Sequence, residues 1–350
     1  MADRIVRLRQ KLKHRHLDGL LVASWPNRQF LTGFSGTSGW VVVTGREQLL
    51  AVDSRYTIQA SRQAGEFEVH EVSSFKEWWQ QFAKRVKGKR IAFESHLVPF
   101  AQVKQLKDHN IKLVASKYLV EEIRQQKDDG EQKLLLQAQQ ITDKAYSKLK
   151  KKIKLGMTEQ QIAWVIEKIL KELGAGSLAW QPLVVAIGSN SASPHHPPGK
   201  RKLTKGDFVQ LDFGCTVASF CSDMSRVMFF GTPDRRAKII YQAVLEAQEY
   251  AKTLIKPGVK VAAVDQKVRQ FLQNRGFSES EIYKHSLGHG IGLEVHEMPN
   301  ISVRSKEKFA PGMVVTVEPG IYLAGWGGVR LEDEVLVTAD GIKTLTGAAK

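Results

Sequence analysis

Four acidic residues and one histidine define the chemistry open to this chain: Asp212, Asp223, His289, Glu318 and Glu332, in the stretches LDFGCTVASFCSD, SLGHGIGLEVHE, VTVEPG and GVRLEDE. Asp212, Glu318 and Glu332 are embedded in apolar or Gly-rich sequence, where an unpaired carboxylate is expensive to bury. One or two divalent cations would remove that cost. Carboxylate oxygens with a single imidazole form a hard-to-borderline donor set, suited to Mn²⁺, Co²⁺, Fe²⁺ or Zn²⁺ and unlike a thiolate site. Four carboxylates carry enough charge for two such ions. Two-metal sites, with ions about 3.5–4 Å apart, activate water for attack on an acyl bond. Metal-assisted hydrolysis follows.

These residues fall in an internal repeat. Lys154-Leu155-Gly156 precedes a helical pattern with Ile162, Val165, Ile166, Ile169 and Leu173 on its apolar face, closed by Gly174. Lys256-Pro257-Gly258 precedes another, with Val264, Val268, Phe271 and Leu272, closed by Gly276 at the same separation. Each closing glycine suits a left-handed helix end. An earlier helix belongs to each unit; in the second it carries Ile240, Val244, Ala247, Ala251 and Leu254. KGDFVQLD, ending at Asp212, then parallels PGMVVTVE, ending at Glu318, and a second acid follows in each copy, Asp223 and Glu332. Two carboxylate-bearing hairpins in equivalent positions are expected to face each other across a pseudo-twofold axis.

Further histidines lie in the same segments. His195 and His196 occupy the loop NSASPHHPPG, while His285 and His296 flank His289. A neutral imidazole beside an oxyanion can donate a hydrogen bond or move a proton. Singly, each is read as an ordinary surface or core histidine. Clustering in repeat-equivalent loops reverses that for His195, His289 and His296, and His196 keeps the ordinary reading. Two look-alikes fall away. Asp212-Phe213-Gly214 lacks every other part of a kinase, and Gly288-x-Gly290-x-Gly292 lacks the third spacing and acidic follower of a dinucleotide turn.

Upstream, Leu20–Val22, Val41–Val43, Leu49–Val52, Ile91–Phe93 and Ile111–Val114 read as buried strands. Phe75, Trp78, Phe82 and Val86 recur at helical spacing, and Val98 to His109 reads as a helix. That alternation implies a small α/β domain. A charged segment, Glu121 to Gly130, leads into a long helix capped by Asp128 or Asp129, with a stripe of Leu134, Ala138, Ile141, Ala145 and Leu149. The boundary is placed near residue 125, giving domains 1–124 and 125–350.

At 350 residues and 42% hydrophobic content, two cores are the natural expectation. The charged opening MADRIVRLRQKLKHRH is unlike a secretory signal and no apolar run approaches membrane length, so a cytoplasmic protein without membrane association is expected. Two cysteines, Cys215 and Cys221, argue against a disulfide scaffold. The net charge of +16 is scattered over Lys87–Arg90, Lys148–Lys154 and Lys200–Lys205, with no aromatic-interleaved basic motif, which disfavours nucleic acid as a partner.

With these motifs in place, the chain resembles the "pita-bread" metallopeptidases, the family of aminopeptidase P, prolidase and methionine aminopeptidase. SASPH (191–195), LDFG with CSDMSR, GHGIGLEVHE, EPGIY and GVRLEDEVLV carry the likeness, which spans essentially the whole chain. The resemblance implies a creatinase/prolidase-type α/β N-terminal domain followed by an α+β pita-bread (creatinase/aminopeptidase-like) catalytic domain. It implies that Asp212, Asp223, His289, Glu318 and Glu332 bind two divalent ions, Mn²⁺ ahead of Co²⁺, Zn²⁺ or Fe²⁺, with Asp223 and Glu332 bridging and Glu318 also serving as a base. His195, His285 and His296 match histidines that shape the substrate site; His195 and His296 would stabilise the tetrahedral intermediate and handle the proton. Arg330 matches an arginine near the site, and a homodimer is implied. LTGFSGTSG, DSRY and Asn27 resemble bacterial aminopeptidase P more than prolidase, so the expected activity is an Xaa-Pro aminopeptidase acting on proline-containing peptides, with Xaa-Pro dipeptidase as the alternative. Trp180-Gln181-Pro182, Ile187 and His196 depart from the usual pattern, so the residue preferred before proline is not set by the likeness. A catalytically silent binding module would show lost ligands, and all five are present.

Overall fold

A computed structural model describes residues 2–350, and the chain divides into two compact units, Met1–Arg124 and Gln125–Lys350. The first unit is built on a six-stranded sheet: β1 (Gly19–Val22), β2 (Trp40–Thr44), β3 (Gln48–Val52), β4 (Glu68–Glu71), β5 (Ile91–Glu94) and β6 (Leu113–Ser116), in the order β4-β3-β2-β1-β5-β6. Around it lie α1 (Ala2–His14), α2 (Trp25–Thr32), α3 (Thr57–Gln63), α4 (Phe75–Arg85), α5 (Phe100–Asp108) and α6 (Glu121–Arg124). Strand β4, Glu-Val-His-Glu, carries no apolar run because it is an edge strand, where charge guards unpaired backbone. Strand β6 begins two residues later than its apolar run suggests; Ile111 is buried in the core from the turn that precedes it. Asn27 is a buried polar hub: its amide donates to Glu94 at 2.6 Å and its carbonyl accepts from Arg124 at 2.7 Å.

The second unit opens with α7 (Asp129–Leu149). Asp128 accepts from the Glu131 amide at 2.9 Å while the Glu131 side chain accepts from the Asp128 amide at 3.0 Å, a complete capping box. The buried face of α7 runs through Leu135, Ala138, Thr142, Ala145 and Leu149, whereas Leu134 and Ile141 are half-buried. A polar residue disguised that face: Thr142 is buried because its hydroxyl pairs with Ser222 at 2.8 Å.

Each repeat then builds its own core. In the first, α7 and α8 (Glu159–Glu172) cover a sheet of β7 (Val184–Ile187), β8 (Phe208–Phe213) and β11 (Met224–Phe229), with the small pair β9 (Thr216–Val217) and β10 (Phe220–Cys221) beside it. In the second, α9 (Arg235–Leu254) and α10 (Val261–Asn274) cover β12 (Gly288–Gly290), β13 (Glu297–Ile301), β14 (Val314–Val317), β17 (Asp333–Val337) and β18 (Ile342–Thr344). A ribbon of β15 (Gly320–Leu323) and β16 (Gly327–Arg330) completes it.

The repeat is visible in the backbone. Gly156 and Gly258 have φ of 86° and 83°, Gly174 and Gly276 of 89° and 90°, and Gly206 and Gly312 of 94° and 84°. All six lie in the left-handed region that glycine enters without steric cost. Asp223 sits one residue before β11 and Glu332 one residue before β17, so both second acids enter the antiparallel partner of the strand that leads to the first. Among the described residues, no helix is long and apolar enough to cross a membrane.

Candidate metal centre

The two acid-bearing hairpins meet. The Glu332 amide donates to the Ser225 carbonyl at 3.2 Å, the Ser225 hydroxyl donates to the Glu332 carboxylate at 3.1 Å, and the Asp223 amide donates to Glu334 at 2.7 Å. Asp223, His289 and Glu332 each present a ligand atom, all within 4.8 Å of one another. His289 Nε2 lies 3.7 Å from Asp223 and 3.4 Å from Glu318. Asp212, on β8, is paired with the Arg330 guanidinium. Asp212, Asp223, His289, Glu318 and Glu332, with His195, His285, His296 and Arg330, line one cavity of about 330 Å³, whose other walls include Trp180, Pro182, Val184 and Val295. A larger, open cavity of about 810 Å³ lies in the first unit and contains none of them.

Two backbone contacts fix His289. Its amide donates to Thr316 Oγ1 at 3.1 Å, and Nδ1 lies 3.1 Å from the Gly290 carbonyl. A carbonyl can only accept, so Nδ1 carries the proton and Nε2 presents its lone pair to the acids. Burial, helped by neighbouring His296, lowers the His289 pKa to about 3, so the ring is neutral at pH 7. The glycines beside it admit close approach: a Cβ on Gly288 would stand 2.0 Å from the Thr316 carbonyl oxygen, and one on Gly290 would stand 2.2 Å from that of Met298. Gly288→Ala is therefore expected to cost about 3 kcal/mol and to loosen the metal site. Thermal denaturation with and without added Mn²⁺ checks this; an unchanged melting temperature would exclude the close approach.

The acids themselves are strained electrostatically. Asp223, Glu318 and Glu332 all have pKa values pushed up, first by burial and next by neighbouring carboxylates, with Glu332 reaching about 8. Among the described residues lining the cavity, Arg330 alone carries a guanidinium, and Asp212, Glu318 and Glu332 act on it. Asp212 Oδ1, Asp223 Oδ1 and Glu332 Oε1 are buried with no hydrogen-bond partner. Orphaned buried carboxylate oxygens are costly. Those on Asp223 and Glu332, beside neutral His289, and on Asp212, which lines the same cavity, fit divalent cations in both charge and donor type.

The histidines differ in what they have free. His285 is fully engaged: Nδ1 lies 2.7 Å from the Ser286 carbonyl and Nε2 lies 2.9 Å from the Tyr322 hydroxyl. Tyr322 in turn accepts from Arg330 at 2.8 Å, so its own proton points at His285. Burial first, then Arg330, lowers the His285 pKa to about 3. Its ring can still shape the cavity, but both nitrogens are spoken for. His296 is exposed and packs edge-on against His289, with ring centroids 4.4 Å apart. His195 is exposed at the cavity, and half-buried His196 also lines it while bonding to Glu159 at 2.9 Å.

Sequence reasoning assigned no role to Tyr322, Ser225 or Gln210. Gln210 clasps the Arg330 backbone, accepting from its amide at 2.8 Å and donating to its carbonyl at 3.2 Å. Ser225 bridges Arg330, at 2.8 Å, to Glu332. Tyr322 and Ser225 lie within EPGIY and CSDMSR, and Gln210 is a polar residue in the middle of a buried strand, which is the signal that marks it.

Residues 133–339 match the model of metallopeptidase family M24, and residues 4–126 match the creatinase/prolidase N-terminal domain. The chain belongs to metallopeptidase family M24. It is 35% identical to an uncharacterized peptidase of Bacillus subtilis over 99% of this chain and 98% of the relative. Among solved structures it superposes on the Xaa-Pro dipeptidase from Bacillus anthracis with a TM-score of 0.95, at 35% identity over 100% and 98% of the two chains. It superposes on the X-Pro aminopeptidase from Thermotoga maritima with a TM-score of 0.90, at 34% identity over 99% and 98%.

Proposed function

We propose that this chain is a metal-dependent exopeptidase that hydrolyses the bond between an N-terminal residue and a following proline. The observation that carries this is the set of orphaned carboxylate oxygens on Asp212, Asp223 and Glu332 in the cavity that neutral His289 also lines. Asp212, Asp223, His289, Glu318 and Glu332 are the residues that would hold two divalent ions. Bound there, such ions supply Lewis acidity and lower the pKa of coordinated water. Glu318, half-buried with a carboxylate oxygen 3.4 Å from His289 Nε2, would take up a proton during attack on the carbonyl. His195 and His296, exposed at the cavity, would donate hydrogen bonds to the oxyanion that develops there. Arg330 and Tyr322 fix the rear of the site through Asp212 and His285.

An aminopeptidase is favoured over a dipeptidase by the Asn27, LTGFSGTSG and DSRY stretches of the first unit. The likeness to the Bacillus anthracis Xaa-Pro dipeptidase supports the second reading. Purified, Mn²⁺-loaded protein is expected to release Xaa from Xaa-Pro-Yaa peptides faster than from the Xaa-Pro dipeptide, measured as kcat/KM over a length panel. A preference for the dipeptide would select the second reading. Failure to cleave any of them, or full activity in Glu318→Ala, would sink both.

A further inference from the structure

We infer that Glu159, which touches neither the acids nor the cavity, is a positioning residue that holds His195 in place for the reaction. Glu159 is the first residue of α8 and is 0% exposed. One carboxylate oxygen accepts from the Ile187 amide and from the Asn190 side chain, both at 2.8 Å. The other accepts from the Gly199 amide at 2.8 Å and from His196 Nε2 at 2.9 Å. Ile187 and Gly199 are the two ends of the segment that carries His195, and His196 is its neighbour. A single buried side chain thus ties both ends and the middle of a largely irregular loop.

Four donors converge on one carboxylate, a number that its two oxygens can accept in full. Burial raises the Glu159 pKa, but these hydrogen bonds outweigh it and hold the group below its ordinary value. The backbone continues the clamp: the Glu159 and Gln160 amides donate to the Arg201 and Gly199 carbonyls, each at 3.2 Å. Burying a charge is costly even when it is well bonded. A carboxylate kept at this place therefore needs a use, and fixing the irregular arm of the cavity wall supplies it.

The second repeat contains a parallel device. Asp265, in α10, is also 0% exposed; it accepts from the Tyr283 hydroxyl at 2.8 Å and from the Val303 amide at 2.9 Å. Tyr283 and Val303 bracket the segment that carries His285, His289 and His296. Glu159 opens its helix, whereas Asp265 lies at the fifth position of α10. The two carboxylates occupy different positions in their repeats, so the same need is met in two ways.

This inference rests on the assignment of His195 to the reacting carbonyl, and its test separates the two. Wild type, Glu159→Gln, His195→Ala and the double variant are compared, all Mn²⁺-loaded, by kcat/KM on an Xaa-Pro-Yaa peptide, by melting temperature and by bound metal. Glu159→Gln keeps the shape but turns one acceptor into a donor facing other donors. It is expected to lower kcat/KM by about 10- to 100-fold with bound metal unchanged. In the His195→Ala background the same change is expected to cost less than about twofold, because there is no ring left to misplace. A merely structural carboxylate would show the same factor in both backgrounds, and that result, or wild-type kinetics in Glu159→Gln, overturns the inference alone. Wild-type kinetics in His195→Ala overturns the assignment of His195 and the inference with it. Should Glu159→Gln not fold, Asn190→Ala removes one of the four donors and enters the same cycle. It is expected to lose about threefold only when His195 is present; equal loss in both backgrounds overturns the inference.

Discussion

Glu332→Gln is expected to lower kcat/KM on an Xaa-Pro peptide by on the order of 10³-fold while making the metal-free protein more stable. The two effects have one origin. Glu332 is 1% exposed, one of its oxygens has no partner, and burial together with Asp212 raises its pKa from 4.5 to about 8 against the opposing pull of Arg330. Keeping that carboxyl in the metal-free fold at pH 7 costs roughly 3 kcal/mol of stability relative to a neutral group of the same shape. The amide removes the cost but also removes an anionic ligand. Kinetics of the Mn²⁺-loaded variant and thermal denaturation in chelator measure the two halves. A variant that keeps its activity, or that melts earlier than wild type without metal, would contradict the placement of Glu332.

Metal-free protein is also expected to lose stability as pH rises from about 6.5 to about 8, and metal-loaded protein to gain it. Asp223, Glu318, Glu332 and Glu334 all have folded pKa values above their unfolded ones. For a group raised in this way, the stabilising contribution is full below the unfolded pKa and is lost as pH climbs through the folded value. For Glu332 that loss runs from about 4.5 to about 8. His285 and His289 act in the opposite sense, because their folded pKa values are lowered to about 3 and stability falls as pH drops below 6.5. At pH 6.5 an unfolded histidine is still half protonated, so the two together oppose the acids by about 0.8 kcal/mol between pH 6.5 and 8, which is the smaller effect. Glu332 alone accounts for about 2 kcal/mol across that range. Divalent ions reverse the slope because they bind the ionised carboxylates. Melting curves in chelator and in Mn²⁺ at several pH values test this; parallel curves in the two conditions would contradict an electrostatically frustrated metal site.

The repeat is legible in the amino-acid sequence through the spacing of its glycines and acids, since Gly206 to Asp212 and Gly312 to Glu318 mark the same turn, strand and acid twice. The elements that read poorly are those where polarity and burial part company. Thr142 hides the buried face of α7 because its hydroxyl has a private partner, and β4 hides as a strand because edge position rewards charge. All nine residues singled out for metal and substrate line one cavity, which sequence could suggest because they sit in recognisable motifs. The supports behind them are not legible in the same way. Tyr322, Gln210 and Glu159 act through hydrogen bonds to partners as far as 120 positions away along the chain, and neither periodicity nor spacing records such pairings. His196 illustrates the limit: its ordinary reading overlooked a bond to a buried carboxylate that no local pattern announces.

Anomalous diffraction from crystals of the Mn²⁺-loaded protein addresses the metal centre most directly. Two peaks are expected about 3.5–4 Å apart, contacted by Asp212, Asp223, His289, Glu318 and Glu332. Peaks elsewhere, or none at a Mn²⁺ concentration that supports peptide cleavage, would contradict the assignment of this site.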